Sequence, residues 1–516
     1  MITGSPCRRF PARKEFFLSL PGVMIAVAIY TFVHGTTRLI ASNNLGEDDP
    51  LDNLLVQTLA NGYTTEHGPL YNWLLWLLQQ VMGHGPASFL VLKYSLLTGV
   101  AAFIFLITRR LTGSPWWAFI AVESLAAVYQ TFWRLHEGFT HRVGTMFLIM
   151  ATLWAAIQLA EHGRWRDTLL FSLLIGLGLL SEHWFIAFFI ALLLAGSLQP
   201  QIRERLFSAR LLACLPLTLL IAAPYLLWLS GEPQRLNELV ATYRPDLASH
   251  SPAGMLAGAR DALLLPILVL APWIFIVPAT FPGIWRGLWQ APSPADGGVN
   301  LLRWLRDMLL LQLFGLVLIK GLLFAHSNYA VHGLLPMFLP TVIWLTAKIS
   351  ESQPSPGRIK AFMIILLAFT ATAYGMRAGN LFVQEPFCSR CRWGIPYAEL
   401  ANDIRARGFS DGLLITNSVQ TGGNLRPYFP QARIEIAGQS TGSIPTGQSL
   451  AIVWTTNNGK LDGEKELQQL LTEYRITKQP DIKHFPWQHH WREPGYRDAA
   501  WGIVLAPPAA TEFDTH

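Results

Sequence analysis

Long apolar stretches separated by short polar segments make up most of the chain before about residue 382. Because a membrane-spanning helix needs roughly 17 to 25 apolar residues, and short paired helices somewhat fewer, the pattern predicts about eleven transmembrane helices. The predicted spans are 16–40, 87–108, 115–132, 143–159, 167–180, 183–198, 210–229, 261–281, 305–325, 330–347 and 361–381. The short pair 167–180 and 183–198 also fits a re-entrant hairpin, which would leave the later topology unchanged.

Basic residues cluster between alternate spans. The clusters are Arg109/Arg110, Arg164/Arg166, Arg203/Arg205/Arg210, Arg286/Arg303/Arg306 and Lys348/Arg358/Lys360. Because cytoplasmic loops are rich in Lys and Arg, these segments and the basic N-terminus are predicted to face the cytoplasm. The outer side then receives the first loop (41–86), the loops near 133–142 and 230–260, and everything after about residue 382. No small-residue cleavage site follows the N-terminal basic residues, so 16–40 is interpreted as an uncleaved span rather than a signal peptide.

Hydrophobic residues make up 51% of the 516 residues and charged residues 14%, a composition typical of a chain that lies largely within a bilayer. The formal charge of +6 does not indicate a nucleic-acid partner, since the membrane topology already explains the basic residues. The composition therefore predicts the lipid bilayer as a partner and no nucleic-acid binding.

From about residue 384 the apolar runs become shorter, and helical and strand-like patterns alternate. Residues 396–408 have apolar side chains at helical spacing, whereas GLLIT, ARIEI, LAIVW and WGIVLA are typical of short buried strands. The run Gly422-Gly423-Asn424 is interpreted as a turn, because a dinucleotide-binding loop would need a G-x-G-x-x-G pattern. We predict a transmembrane domain over 1–382 and a small α/β domain on the outer side over 383–516.

Two cysteines, Cys388 and Cys391, stand at the entrance of the tail in the sequence CSRC. A C-x-x-C pair can bind zinc or carry redox chemistry, but no second pair accompanies this one. Because the topology places it in an oxidising compartment, a small structural disulfide is the favoured interpretation, with a metal or redox site as the alternative. The other cysteines, Cys7 and Cys214, are isolated.

Three consecutive acids, Glu47, Asp48 and Asp49, lie a few residues beyond the end of the first predicted span. Helix capping explains part of this pattern, since Asp49 before Pro50 resembles an N-cap at the start of a helix running to about Gly62. Capping does not explain why three acids lie where the chain leaves the bilayer.

The segment PLYNWLLWLLQQVMG (69–83) is amphipathic and too short to cross a bilayer, so it must return to the face from which it starts. Its tryptophan and tyrosine side chains are typical of a helix lying in the membrane interface. The first outer loop thus combines carboxylates with apolar helices, an arrangement suited to a lipid that carries a polar head group.

The first loop contains, in order, Asp48-Asp49, Gln57, Gly62-Tyr63, Gly68-Pro69-Leu70-Tyr71 and Trp73. This run resembles the first periplasmic loop of glycosyltransferase family 39 and its bacterial relatives, membrane enzymes of the GT-C superfamily. Thr140-His141, GLGLLSEHWF, CSRCRWGIPYAELANDIRARGF and GGNLRPYFP resemble later segments of the bacterial subgroup. That group includes protein mannosyltransferases, aminoarabinose transferases acting on lipid A and galacturonosyltransferases of lipopolysaccharide.

The chain departs from the family pattern in three places, one of them a pair of residues. Asp49 stands at the family's Glu position, and Gly68 replaces the first proline. Glu182-His183 stands where the relatives often carry Lys-Tyr, which removes a cation that could have faced donor phosphate or an acidic sugar. The identity of the sugar therefore does not carry over.

The resemblance implies a GT-C fold with juxtamembrane helices and a C-terminal α/β domain on the periplasmic side of a bacterial inner membrane, with the N-terminus cytoplasmic. It implies transfer of a sugar from a polyprenyl-phosphate-linked donor to an envelope glycolipid or polysaccharide acceptor. Such a reaction needs a base for the acceptor hydroxyl and positive charge near the departing phosphate. No cofactor is predicted, although some GT-C enzymes use a divalent metal.

Asp48 is the first choice for the base, and Asp49 is the second catalytic candidate. The candidate substrate-binding residues are Glu47, Tyr71, Lys93, His141, Arg142, Lys320 and His326. Lys320 lies near the outer end of an apolar span, where an ammonium group is costly unless it is functional, paired or snorkelling to the interface. Glu123 lies deeper in the third span and is expected to pair with a neighbouring helix.

Two other classes of function compete with sugar transfer. A transporter or flippase for a lipid-linked or small polar substrate would tend to show inverted repeats, and no repeat relates the two halves of this chain. A non-catalytic envelope assembly factor would use the outer loop and the tail only to bind partners.

Overall fold

The computed structural model of the protein describes residues 16–138, 140–242, 251–288, 299–323, 334–384, 392–438, 449–456, 464–474, 476–477, 481–487 and 498–506. These residues form two compact units. The helical unit comprises the described parts of Met1–Val33, Asn61–Tyr71 and Lys93–Ala373. The tail unit comprises the described parts of His34–Ala60, Asn72–Leu92 and Tyr374–His516.

Each predicted span coincides with one or more helices. The helices in the predicted spans are Leu20–Ala41, Pro86–Thr112, Pro115–Glu123, Thr140–His162, Trp165–Leu179, Trp184–Ser197, Ala209–Ser230, Pro252–Leu270, Trp273–Thr280, Leu301–Gly315, Leu335–Glu351 and Pro356–Gly379. Within the described residues, six helices are long and apolar enough to cross a membrane, and Trp184–Ser197 is apolar but shorter. The polytopic helical class is thus confirmed, while the number of crossings stays a prediction.

Shorter helical segments connect or extend these helices. The α-helical ones are Asp49–Leu55, Leu70–Met82, Leu135–Glu137, Pro200–Leu206, Pro233–Thr242 and Ile284–Gly287. A 3-10 segment at Ser124–Ala127 and π-helical segments at Gln130–Arg134, Leu316–Leu323 and Asn380–Gln384 interrupt or extend predicted spans.

The predicted span 261–281 begins earlier than expected and is divided. Its first helix starts at Pro252 because Ser251 caps it: the Ser251 hydroxyl accepts a hydrogen bond from the Gly254 amide at 3.0 Å. Pro272, which has no amide hydrogen to donate, separates that helix from Trp273–Thr280. Cap chemistry, rather than the apolar run alone, therefore sets the helix boundaries here.

Helix Thr140–His162 is the most buried of the candidate spans: 83% of an apolar 18-residue stretch within it is buried inside the protein. It packs against Trp165–Leu179 in the helical unit. In the same unit, Glu123 accepts a 2.8 Å hydrogen bond from the Thr370 hydroxyl, which confirms the expected pairing with a neighbouring helix.

The described residues of the tail unit form a five-stranded mixed sheet. Its strands are β1 (Leu413–Thr416), β2 (Arg433–Ile436), β3 (Leu450–Thr456), β4 (Asp481–Pro486) and β5 (Asp498–Ala506), in the order β2-β1-β3-β5-β4. β1 runs parallel to β2 and β3, and β5 runs antiparallel to β3 and β4. The helices of this domain are Tyr397–Ala406, Val419–Leu425 and Glu464–Glu473.

Four strands and the first helix of the tail confirm the sequence prediction, and two features correct it. The strand β4 was not predicted, because DIKHFP has no continuous apolar run and pairs only along the sheet edge. The predicted turn at Gly422 to Asn424 is wrong, since these residues lie in helix Val419–Leu425. The Ser418 hydroxyl starts that helix by accepting a 3.2 Å hydrogen bond from the Thr421 amide.

One core of the sheet includes a residue from the first outer loop. Leu54 is 8% exposed and packs in the same cluster as Leu425, Phe429 and Ile434 of the tail. Burying apolar side chains together is the main favourable term in folding, so this part of the loop folds as a component of the α/β domain.

Candidate functional site

The acid loop, residues 42–60, contains the three acids, and their backbone conformations differ. Glu47 has a φ angle of 52°, in the left-handed region that costs energy for a residue with a side chain. Helix Asp49–Leu55 follows, with Asp48 at its N-cap position. The predicted cap was one residue off: Asp49 is the first helical residue, and the Asp48 side chain makes no capping hydrogen bond.

The three acids differ in exposure. Glu47 and Asp48 are exposed, whereas Asp49 is 8% exposed. Glu47 forms an ion pair with Arg392 at the entrance of the α/β domain. Of the two catalytic candidates, Asp48 is thus the one that an acceptor hydroxyl can reach from solvent.

The helix of the acid loop ends at Leu55 rather than near Gly62. Just after it, the side chain of Gln57 hydrogen-bonds to the backbone of the tail. The Gln57 side chain donates to the Ile434 carbonyl at 2.9 Å and accepts from the Ile434 amide at 2.8 Å. This pair extends the hydrogen bonding of the sheet edge at β2, so Gln57 is held in a conformation that does not continue the helix.

Arg426 is the main polar anchor of the acid loop. Its guanidinium is buried and donates to the Asn53 side-chain oxygen at 3.1 Å, to Gln79 Oε1 at 3.0 Å and to the Val56 carbonyl at 2.9 Å. Asn53 in turn donates to the carbonyl of Gly423 at 2.8 Å. Hydrogen bonds from a charged donor are among the stronger ones in proteins, so this network fixes the helix that follows Asp48.

Two further contacts hold the loop against helix Val419–Leu425. The Asn424 side-chain oxygen accepts a 2.6 Å hydrogen bond from the Leu45 amide. Gly423 lies so close to Pro50 that a Cβ atom on it would be 2.2 Å from the Pro50 carbonyl oxygen. Glycine is therefore required at 423 for the helix to pack this closely on the loop.

His84 lies beside this network and is sensitive to its charge. The Asn53 amide group donates to the His84 carbonyl at 3.1 Å. Partial burial and, to a lesser extent, the charge of Arg426 lower the pKa of His84 to about 4. His84 is therefore neutral at physiological pH in the folded protein.

The helical unit contains a second group of predicted site residues, which we name the histidine cluster: His67, Tyr71, His141, Arg142 and Glu182. Residues 67 to 70 run antiparallel to the hairpin at 180–182, with the Gly68 amide donating to the Ser181 carbonyl at 2.7 Å. A Cβ atom at position 68 would be 2.4 Å from the Leu180 carbonyl oxygen. The departure from the family's proline thus has a physical reason, because proline would fill this space and remove the donor.

Three rings pack together at the centre of the histidine cluster. The centroids of His67 and His141 are 3.6 Å apart with a 30° tilt, and Tyr71 lies 4.9 Å from His141. His141 and Tyr71 are buried, and both were predicted as substrate-binding residues. The structure therefore brings together two candidates that lie far apart in the sequence.

Charged groups flank these rings. Arg142 Nε lies 3.8 Å from Glu182 Oε1, and the Glu182 amide donates to the Thr145 hydroxyl at 3.2 Å. That hydroxyl donates to the His141 carbonyl at 3.2 Å, which connects the hairpin to the first turn of helix Thr140–His162. Two imidazoles and a guanidinium beside one carboxylate form a group that can donate hydrogen bonds to an anion.

The structure describes some of the remaining predicted site residues and cysteines and leaves others outside the described residues. Lys93 is 1% exposed, within helix Pro86–Thr112. The backbone of Lys320 lies in the π-helical segment Leu316–Leu323, but its side chain, His326, Cys388 and Cys391 are outside the described residues. Cys214 is buried as a free thiol. Among the described residues no three His, Cys, Asp or Glu side chains converge to hold a metal ion.

Sequence reasoning did not single out His67, Asn53 or Arg426. His67 directly precedes the Gly68-Pro69 pair of the first-loop motif, and Arg426 lies within GGNLRPYFP, a segment noted only for its resemblance. The available signal was that Arg426 is a charged residue in a segment otherwise made of glycine, apolar and neutral polar residues. Nothing in the sequence indicated that its partner, Asn53, lies in the first loop.

Comparison with known proteins finds a matching family model and two similar chains. A family model described as dolichyl-phosphate-mannose-protein mannosyltransferase matches residues 66–228, a stretch that contains every segment of the histidine cluster. The lipopolysaccharide core galacturonosyltransferases RgtA and RgtB of Rhizobium johnstonii are 25% and 24% identical to the chain. The alignments cover 82% and 85% of this chain and 83% and 87% of those proteins.

The fold is shared with a solved structure. The crystal structure of ArnT from Cupriavidus metallidurans bound to undecaprenyl phosphate has a TM-score of 0.61 at 13% identity, covering 94% of this chain and 98% of that one. The family match, the two relatives and the common fold lead to one conclusion. The chain is a membrane glycosyltransferase, and it is similar to the family 39 type of the GT-C superfamily that its sequence resembles.

Proposed function

We propose that this glycosyltransferase moves a sugar from a polyprenyl-phosphate-linked donor to a glycolipid or polysaccharide of the cell envelope, on the periplasmic face of a bacterial inner membrane. The observation that carries the proposal is the exposed Asp48 at the start of a helix that the tail unit holds in place. The names of the relatives support an envelope acceptor, and the ligand of the ArnT structure supports a polyprenyl carrier.

The acceptor hydroxyl must lose its proton as it attacks the anomeric carbon of the donor sugar. Asp48 is proposed as the base, because a carboxylate that neither caps its helix nor is buried can accept this proton. Asp49 and Glu47 are assigned to positioning, since Asp49 is buried and Glu47 is paired with Arg392. If Asp48 acts only as base and no covalent intermediate forms, the anomeric centre inverts.

The departing group is a polyprenyl phosphate, whose negative charge increases as the sugar leaves. His67, His141 and Arg142 are proposed to stabilise that charge with hydrogen bonds. The family position that often carries a lysine is Glu182 here, and His67, His141 and Arg142 supply hydrogen-bond donors in the same cluster. Tyr71 is proposed to pack against His141 and fix its ring.

The test compares envelope glycolipids by mass spectrometry in a deletion strain that expresses wild type, Asp48→Asn or Asp48→Glu. Removing a general base lowers the rate by about 10² to 10⁴-fold, so Asp48→Asn is expected to leave the acceptor without one sugar. The matched control is Asp411→Asn, which removes an exposed acid elsewhere in the tail unit and should leave the glycans unchanged.

The outcomes separate the competing functions. Identical glycolipids in the deletion strain and the wild type would contradict sugar transfer to the envelope. Wild-type glycans from a well-expressed Asp48→Asn protein would remove Asp48 from the role of base. Accumulation of an intact donor lipid on the cytoplasmic leaflet of the deletion strain would instead indicate a flippase.

A further inference from the structure

A pocket of about 370 Å³ lies in the tail unit, where the end of the first helix and the start of the α/β domain are in contact. We name it the boundary pocket. One wall is the chain that leaves helix Leu20–Ala41, residues 39–44, and the other is the segment 393–399 together with Tyr428. None of the catalytic or histidine-cluster residues lines it.

The walls of the boundary pocket are held rigidly. The Asn44 side chain donates to the carbonyl of Ile395 at 2.8 Å, and the Ser42 hydroxyl donates to the carbonyl of Trp393 at 2.7 Å. These bonds join the two walls directly, so the space between them is formed before any ligand arrives. A preformed pocket avoids the cost of ordering loops on binding.

The lining combines aromatic rings with neutral polar groups and one acid. Trp393, Tyr397 and Tyr428 supply the rings, and Asn43 and Glu399 supply hydrogen-bonding side chains. The described lining residues include no lysine or arginine, and the neighbouring Arg38 is buried behind the wall, where it lies 3.9 Å from the centre of the Trp393 ring and donates to the Ser42 carbonyl at 2.6 Å. A phosphate group would need such cations, whereas sugar hydroxyls are bound by amide and carboxylate groups beside aromatic faces.

The charges beside the pocket also favour a neutral ligand over an anion. Burial, and then the negative charge of Glu399, raises the pKa of Tyr428, with a smaller opposing effect of Arg405. Glu399 and Tyr428 both line the pocket. Such a site favours a ligand that donates hydrogen bonds and disfavours one that carries negative charge there.

The position of the pocket relates it to both the bilayer and the acid loop. Leu39 and Ile40 are 38% and 66% exposed at the end of an apolar helix, which leaves an apolar surface beside the pocket for a lipid chain. Asn44 and Asp48 are four residues apart, so their Cα atoms are at most roughly 14 Å from each other. A saccharide of a few rings can span that distance.

We propose that the boundary pocket binds the saccharide head of a membrane-anchored glycolipid acceptor, with Asn43 and Glu399 hydrogen-bonding its hydroxyls and the lipid chain lying along Leu39 and Ile40. This inference rests on the proposed function and names the acceptor as a lipid-linked saccharide. The donor, whose phosphate needs cations, does not use this pocket.

The test is an in vitro transfer assay with the full-length protein in nanodiscs. The acceptor is glycolipid extracted from the deletion strain, and the donor is the polyprenyl-phosphate sugar fraction of the wild-type strain. Asn43→Ala and Glu399→Gln are expected to raise the acceptor KM about tenfold while leaving the donor KM and kcat within about twofold, because they remove binding that is equal in the ground and transition states. Asn43→Trp, which places a bulky ring at a residue lining the pocket, should have a larger effect.

Matched controls are Asn402→Ala and Asp411→Asn, polar residues of the same domain that do not line the pocket. Hydrogen exchange gives a readout other than activity: the acceptor glycolipid, and not the donor fraction, should slow exchange of amides in 393–400. An unchanged acceptor KM in all three pocket variants would overturn the proposal, and so would an equal rise in the donor KM. Absence of transfer by the wild-type protein would instead contradict the proposed function itself.

Discussion

Arg426 Nη1 donates to Asn53 Oδ1 across 3.1 Å, although the two residues are 373 positions apart in the chain. The same guanidinium also reaches Gln79 and the carbonyl of Val56. The α/β tail is therefore part of the structure that positions the proposed base, because the helix that begins after Asp48 is held by a side chain of the tail. A tail that only bound partners would have no need of this network.

Replacing Arg426 by methionine should loosen the acid loop. The change keeps much of the side-chain volume but leaves buried oxygens of Asn53, Val56 and Gln79 without their charged donor, which costs on the order of 3 kcal/mol. Amide hydrogen exchange in residues 50–57 should accelerate at least about tenfold, and transfer should fall with it.

The control for this variant is Arg433→Met, at an arginine whose side chain is 63% exposed and paired with Glu435. Because the Arg433 side chain is largely in solvent, its pair with the mostly buried Glu435 contributes little to stability, and exchange in the acid loop should stay as in wild type. Unchanged exchange in Arg426→Met would show that the loop is held by other contacts.

Acidification should weaken the same region through His84. Its pKa is lowered from 6.5 to about 4 in the folded protein, so between these values the unfolded chain binds a proton that the folded protein does not. Stability therefore falls as the pH is lowered through this window, and above pH 6.5 the effect is absent. Thermal unfolding across the window should show a smaller pH dependence for His84→Gln than for wild type, and equal slopes would contradict this.

Gly68→Ala should disrupt the contact between the first-loop motif and the 180–182 hairpin. The added Cβ would be 2.4 Å from a backbone oxygen of Leu180, which cannot rotate away, so we expect a loss of stability of about 2 kcal/mol. Gly68→Pro should cost more because it also removes the 2.7 Å hydrogen bond to Ser181. Gly85→Ala, where a Cβ would meet open space, is the control, and thermal unfolding is the measurement.

Arg142→Gln should reduce kcat/KM for the donor by about 10²-fold, since a donor of hydrogen bonds to a developing negative charge is removed. The matched control is Arg166→Gln, an exposed arginine outside the histidine cluster, which should behave as wild type. Steady-state transfer with a varied donor concentration measures both.

Glu182→Gln should strengthen donor binding, whereas Arg142→Gln should weaken it. The pair of variants therefore separates anion binding from a structural role. Removing the carboxylate 3.8 Å from Arg142 leaves more of its charge for the donor phosphate, so the donor KM should fall. A rise in donor KM in both Arg142→Gln and Glu182→Gln would indicate that the pair only supports the fold.

Local patterns in the sequence were sufficient for most of the long apolar helices and for four strands of the sheet. The long apolar run at 143–159 predicted helix Thr140–His162, and the continuous runs GLLIT and LAIVW predicted β1 and β3. These predictions hold because the burial of a helix or a central strand is recorded in the residues of that element alone. The pattern failed at β4, an edge strand with mixed polarity, and at Gly422 to Asn424, whose helix depends on the Ser418 cap.

The sequence by itself determined that this is a membrane protein with acids beside its first span, and its motifs indicated the enzyme class. Only the tertiary structure decided that Arg426 and Asn424 hold the acid loop, that His67 stacks on His141, and that residues 39–44 and 393–399 enclose a pocket. Periodicity and capping act over a few residues, whereas these contacts join segments that lie far apart along the chain. Their geometry depends on how the whole chain packs, and no local pattern encodes it.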